Sequence, residues 1–214
     1  MSPRPPSLAS VRREAAACTR CDLYARATQT VFGEGRRSGL MLVGEQPGDV
    51  EDRQGRPFVG PAGRLLRELL AEAGVEPREA YVTNAVKHFK WRPAGKRRIH
   101  DTPSWTEIEA CGHWLGLELA IVQPALVLCL GATAAQALLG RSARVGELRG
   151  RRVELPDGTP ALVTIHPSAV LRAQEERQAR RGELLADLVL ARETLAALRG
   201  AAPARPRRAR SPGL

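Results

Sequence analysis

The segment from Asn84 to His100, NAVKHFKWRPAGKRRIH, concentrates groups able to do chemistry. It holds two of the chain's four histidines, His88 and His100, and six cations without an anion. A neutral imidazole can ligate a metal, move a proton or attack an electrophile near neutral pH. The closing run Lys96-Arg97-Arg98-Ile99-His100 can meet a polyanion, and a histidine ending such a run can equally be one more solvated phosphate contact. Cys18-x2-Cys21 has the spacing at which a tight turn directs two thiolates to one centre. Two ligands do not hold a cluster. Cys111 follows the basic segment closely enough to be brought back, whereas Cys129, inside LVLCLG, reads as a small core residue. That leaves three cysteines and a missing fourth ligand, for which a histidine is the natural candidate.

These groups need a scaffold, and the apolar pattern provides one. Leu40–Val43, Ala80–Val86, Ala125–Leu130, Arg152–Leu155 and Ala161–Ile165 read as strands. Helices are expected at Ser7–Ala17, Gly60–Ala73, Pro103–Val122, Ala132–Leu139 and Arg177–Leu198, with Glu45–Val59 a Gly- and Pro-rich loop. Their alternation predicts an α/β three-layer sandwich, a central, mainly parallel four-stranded sheet flanked by helices. Ligands of such sheets sit beyond the carboxyl ends of the strands. The groups there are Gly44-Glu45-Gln46, Asn84 to His88, Gly131 and His166. Pro167 and Ser168 after His166 suit a helix start. Phe58, between Pro57 and Gly60, can stack on a base or plug the core. His113 reads as a surface or packing residue.

The chain of 214 residues has a net charge of +10 and a sequence pI near 10.6. A single domain over residues 1–200 is expected, with 201–214 a disordered basic tail. The tail's four arginines leave most of the excess on the body, which favours nucleic acid as partner. No stretch approaches the roughly 18 apolar residues of a membrane helix, and MSPRPPSLASVRR has no apolar signal core. A monomeric cytoplasmic protein with reduced cysteines and no membrane partner is therefore expected. GxGxxG and the Walker pattern are both absent.

Taken together, GEQPG followed by GRPFVGPAG, then TNAVK, then HPSAVLR, in that order between Cys18 and Leu198, resemble the uracil-DNA glycosylase superfamily. The likeness is to its iron–sulfur, family 4-like branch. Two departures, His88 where family 4 has a cysteine and the inserted KRRIH run, resemble the UdgX type, which becomes covalently trapped on DNA. The resemblance implies a 4Fe-4S cluster on Cys18, Cys21, His88 and Cys111. It implies uracil-containing DNA, single-stranded in preference, as substrate. Phe58 would stack on the flipped base and Asn84 read its edge. His166 and the backbone of Gly44-Gln46 would receive the leaving base. His100 would attack the sugar with Glu45 as its partner, and Arg98 would brace the segment or touch a phosphate. Lys96, Arg97 and Arg172 would meet the DNA backbone, and Leu171 would fill the gap left in the stack. An ordinary multiple-turnover glycosylase and a non-catalytic iron–sulfur DNA-binding or redox-sensing module are the alternatives.

Overall fold

A computed structural model describes residues 6–37, 39–76 and 80–201. The expected tail lies outside the described residues except for Ala201, which closes the last helix. The first elements are α1 (Leu8–Ala15), a 3-10 turn (Asp22–Ala25), β1 (Glu34–Gly35), β2 (Leu40–Gly44) and α2 (Asp49–Gln54). They are followed by α3 (Pro61–Glu72), β3 (Ala80–Asn84), β4 (Trp91–Ala94), β5 (Arg97–His100) and α4 (Trp105–Val122). Next come β6 (Leu126–Leu130), α5 (Ala132–Leu139), α6 (Val145–Leu148) and β7 (Val153–Glu154). The last described elements are β8 (Pro160–Thr164), α7 (Pro167–Arg172) and α8 (Arg177–Ala201).

Strand order is β1-β3-β2-β6-β8-β7, and the four inner strands run parallel. The five expected strands are thus present, β7 within Arg152–Leu155, but the sheet has six strands where four were expected. The edges β1 and β7 are antiparallel and two residues long, and β1, the strand not expected, is too short to leave an apolar run in the sequence. Side chains alternate across the sheet. Leu40 and Leu42 face Leu66, Leu69, Leu184 and Leu188 of α3 and α8, while Met41 and Val43 face Leu115 and Ala134 of α4 and α5. Two buried faces make a three-layer sandwich. The register pairs Gly44 with Asn84 and Leu130 with Thr164, so four strands end at one sheet edge.

The segment expected as a basic loop is instead a separate hairpin, β4 with β5, pairing Trp91 with His100 and Ala94 with Arg97. Gly95 takes φ +58 at the first of the two turn residues, as a II′ turn requires. Charge and Pro93 hide the strand pattern there. The capping box of α4 secures the hairpin's base: Ser104 N–H donates to Glu107 Oε2 at 2.6 Å, and Lys90 Nζ donates to the same oxygen at 3.0 Å.

Between β3 and the hairpin the chain is held by Lys87, whose side chain is fully buried. Its Nζ donates to Glu118 Oε2 at 2.5 Å and to Thr83 Oγ1 and the Asn84 carbonyl at 2.7 Å. Removing one partner of a buried pair strands the other charge. Lys87→Met is therefore expected to lower stability by roughly 3–5 kcal/mol in urea unfolding. Lys90→Met, which breaks the half-buried Lys90–Glu107 pair, is expected to cost less than about 1 kcal/mol. Equal losses would contradict this ranking.

Candidate active site

A cleft of about 750 Å³ opens at the carboxyl edge of the sheet. Glu45 and Gln46 reach it from the end of β2, Asn84 from β3, His100 from β5 and His166 from β8. Phe58 lines it, as do Leu171 and Arg172 of α7. Lys96 and Arg97 lie at the exposed hairpin turn, away from the cleft wall.

Glu45 sits between two partners. Its Oε2 accepts from Thr133 Oγ1 at 2.7 Å, and its Oε1 lies 3.0 Å from His100 Nε2 and has no other partner. Burial pushes its pKa up, but the contacts with His100 and Thr133 outweigh this and hold the carboxyl below its ordinary range. The His100 ring is about half exposed toward the cleft and stands 6.3 Å from that of Phe89.

The hairpin that carries His100 is fixed at its base and along its side. Gln46 Nε2 donates to the carbonyls of Asp101 (3.0 Å) and Lys90 (3.2 Å), and its Oε1 accepts the Lys90 N–H at 2.9 Å. The adjacent residues Glu45 and Gln46 thus hold the tip of His100 and the root of its hairpin. Arg98 turns inward, donating to Asp49 at 2.5 Å, Asp52 at 2.7 Å and Thr28 Oγ1 at 3.1 Å. Desolvation opposes the charge of Arg98, and the two carboxylates more than restore it, so its pKa is raised. Of the two expected roles, bracing is the one this geometry serves. Phosphate contact does not suit a side chain so occupied.

Gly44 makes room for Asn84 and Phe58 at the cleft. A Cβ there would collide with Asn84 Oδ1 and come within 2.6 Å of the Phe58 ring. Asn84 is buried, and its carbonyl is the one held by Lys87. Phe58 has φ 54, the left-handed region that few side chains tolerate. Arg67 Nη1 clamps its carbonyl at 2.6 Å, and Gly63 is needed because a Cβ would strike that same carbonyl. Phe58 both lines the cleft and belongs to the core, so the two roles expected of it coincide.

His166 caps α7. Its Nδ1 accepts the Ser168 N–H at 3.1 Å and lies 2.8 Å from Ser168 Oγ, which takes Arg172 Nη1 at 3.0 Å. The proton of the neutral ring is accordingly assigned to Nε2, leaving a donor for the cleft. Burial pushes its pKa down to about 4, with Glu45 pulling the other way.

The cysteines form a second locus behind the first. Cys18 packs with Ala15 and Phe32 and accepts Trp114 Nε1–H at 3.1 Å. Cys21 and Cys111 share a hydrogen bond that lowers the first thiol to about 6 and raises the second. His88 Nε2 lies 2.9 Å from Thr30 Oγ1, whose own proton goes to the Ala15 carbonyl, so Nε2 is the protonated nitrogen. His88 Nδ1, with its lone pair, is buried with no partner. Among the described residues no three His, Cys, Asp or Glu side chains gather as around a single metal ion. The donor set, three thiols and an orphaned imidazole nitrogen on segments packed together, fits a wider multi-iron group. Cys129 is fully buried in the sheet, and burial pushes its thiol up to about 12. His113 is exposed, edge-on to Trp114.

Sequence reasoning missed Thr133, the Gln46 side chain, Asp49 and Asp52. The last two had a signal: acids three residues apart, opposite an unexplained arginine run.

Residues 32–189 match the uracil DNA glycosylase superfamily. A type-4 uracil-DNA glycosylase of Thermotoga maritima is 40% identical over 157 residues, 72% of this chain and 78% of that protein. Those of Pyrobaculum aerophilum and Archaeoglobus fulgidus are 38% and 34% identical, covering 81% and 80% of this chain and 87% of each relative.

Two outcomes follow from the geometry. Gly44→Ala is expected to cut activity at the cleft by about a hundredfold or more while leaving the fold intact, because Asn84 and Phe58 must both shift. His166 is held neutral in the folded state, so an unfolded chain takes up a proton that the folded one refuses. Its contribution to stability is full above about 6.5 and is lost as pH falls toward 4. His166→Asn is expected to flatten that part of the stability–pH curve, and an unchanged slope would refute the assignment.

Proposed function

The chain belongs to the uracil DNA glycosylase superfamily, and on that premise we propose that it excises uracil from DNA and that His100 then captures the sugar. The observation that carries the second part is the Glu45–His100 pair, 3.0 Å apart on the wall of the cleft that Asn84 and Phe58 also line.

The target base must leave the stack to enter such a cleft. Phe58 stacks on it, and the Asn84 carboxamide offers a donor and an acceptor side by side, which suits uracil O4 and N3–H and mismatches cytosine. As the C1′–N1 bond breaks, the electron pair leaves with uracil. The His166 Nε2–H and the Gln46 backbone N–H receive the resulting oxyanion, each contact typically worth a few kcal/mol in the transition state. C1′ is left electron-poor. His100, its N–H turned to Glu45, presents the lone pair of its other nitrogen, Nδ1 in this conformation. That pair forms the N–C1′ bond, and the imidazolium passes its proton to Glu45. Proximity favours the imidazole over water. Arg172 and Leu171 at the cleft rim contact the strand, and Lys96 and Arg97 its phosphates.

Cys18, Cys21, His88 and Cys111 would hold a 4Fe-4S cluster, which supplies a cross-link between their segments and a centre able to change redox state. His88→Ala is expected to lower the visible absorbance per chain, and Cys129→Ala to leave it unchanged. A second reading, ordinary multiple turnover, is favoured by the type-4 relatives, which are named only as glycosylases. The two differ in stoichiometry. On uracil-containing single-stranded DNA, uracil release is expected to stop near one equivalent with an SDS-resistant adduct. His100→Ser is expected to abolish the adduct while uracil release continues. An undiminished adduct in that variant would exclude His100 as the nucleophile.

A further inference from the structure

Glu45 can serve His100 only if its carboxylate is aimed, and its own backbone does not aim it. The Glu45 carbonyl accepts the Val86 N–H at 2.9 Å, which fixes the main chain just beyond β2. Several rotatable bonds separate that point from the carboxylate. The side chain is 24% exposed on the cleft, so other rotamers have room there, and water to receive them. His100 does not supply the restraint, because its own ring is 48% exposed. An ion contact between two side chains free to turn is offset by the entropy of holding both.

The restraint comes from α5. Thr133 is the second residue of that helix and is buried. The helix start is tied to the sheet: the Gly131 N–H donates to the Thr164 carbonyl at 2.8 Å, and Ala134 and Ala135 pack with Met41 and Val43 of β2. A β-branched side chain is stiff at its first torsion, so the Thr133 hydroxyl stands at a fixed place. It donates to Glu45 Oε2 at 2.7 Å. With Oε2 occupied, Oε1 is turned to His100 Nε2 at 3.0 Å and has no other partner. Valine would fill nearly the same volume, so the hydrogen bond is what threonine adds at this position.

We propose that Thr133 is a positioning residue for sugar capture: it aims Glu45 Oε1 at His100 Nε2 and so leaves the Nδ1 lone pair for C1′. This deepens the capture reading and rests on it. The fixed carboxylate selects the tautomer of the free ring, with the proton on Nε2 and the lone pair on Nδ1. When that pair forms the bond to C1′, the Nε2 proton passes to Oε1, and Oε2 keeps its hydrogen bond from Thr133. The positive charge of the imidazolium and the negative charge of the carboxylate disappear together, with no side chain having to move. Without the hydroxyl the carboxylate turns into the cleft, both tautomers become accessible, and water gains at C1′ what the imidazole loses in proximity.

The experiment makes two measurements on the full-length protein. In the first, proton–nitrogen correlation NMR of protein labelled at its histidine rings reads, at mildly alkaline pH, which nitrogen of His100 carries the proton. The chain has four histidines, and His100→Ser assigns the signal. The wild type is expected to show the Nε2–H tautomer alone, Thr133→Val a mixture of both, and Thr133→Ser, which keeps a hydroxyl, the wild-type pattern. The second is the ratio of adduct to free abasic site after a quenched reaction with uracil-containing DNA. Thr133→Val is expected to lower that ratio about tenfold, the scale of one hydrogen bond to a charged group, and Thr133→Ser to stay within about twofold of the wild type. A Thr133→Val protein with the wild-type tautomer and ratio, or equal losses in Thr133→Val and Thr133→Ser, would overturn the positioning role. A wild type that shows the locked tautomer and releases uracil but forms no adduct would refute the capture reading, and the tautomer in Thr133→Val would still decide whether Thr133 aims the pair.

Discussion

Glu118 is the point on which both chemical loci depend. It is buried in α4, and four donors converge on it: the Gly33 N–H (3.0 Å), Tyr81 OH (2.8 Å), Thr83 OH (3.0 Å) and Lys87 Nζ (2.5 Å). Taking an ion pair out of water is expensive, and packed apolar side chains are often no less stable. What the pair provides is a fixed turn. Lys87 reaches back to the Asn84 carbonyl, so the residue facing the cleft cannot drift from the end of β3. On the other side of the same turn, the Lys87 N–H lies 3.5 Å from Cys111 Sγ and the next residue is His88. One buried carboxylate thus sets the spacing between Asn84 at the cleft and the cysteine locus.

The same helix extends this control. Its first turn, through Glu107, holds Lys90 at the root of the hairpin, its second carries Cys111 and its third Trp114. From there the hairpin is locked by short contacts to α2: Arg98 to Asp49 and Asp52, with Gln46 across the base. His100 is half exposed, yet its position is over-determined. That suits the proposed role of nucleophile, which needs freedom at the tip and none at the root.

The inner strands were legible because continuous apolar runs such as LVLCL can be buried on two faces only inside a covered parallel sheet. Glu45, Asn84 and His166 were legible as site residues for the related reason that each ends such a run. The hairpin was not, since Pro93 and the RR pair erase the alternation that marks a strand. Nor was α2, whose DVEDRQ has no apolar stripe and whose Asp52 is buried to meet Arg98 from the hairpin. Contacts between segments far apart in the chain, such as Thr133 on Glu45 or Thr30 on His88, leave no spacing to read. The division of His88 and His100 into separate loci came from the family resemblance. The structure adds a reason that each can differ: His88 has a buried, unpartnered nitrogen, and His100 faces a carboxylate at the cleft.

Membership of the superfamily supports uracil-DNA glycosylase activity, and the proposed capture of the sugar rests on the Glu45–His100 pair at the cleft. The most direct measurement is mass spectrometry of the peptide linked to DNA after reaction with a uracil-containing single strand. The account predicts an abasic-sugar mass on the peptide containing His100, stable to denaturation and formed without a reducing agent. A DNA-free chain after full uracil release, or a sugar carried on Lys96, would contradict it.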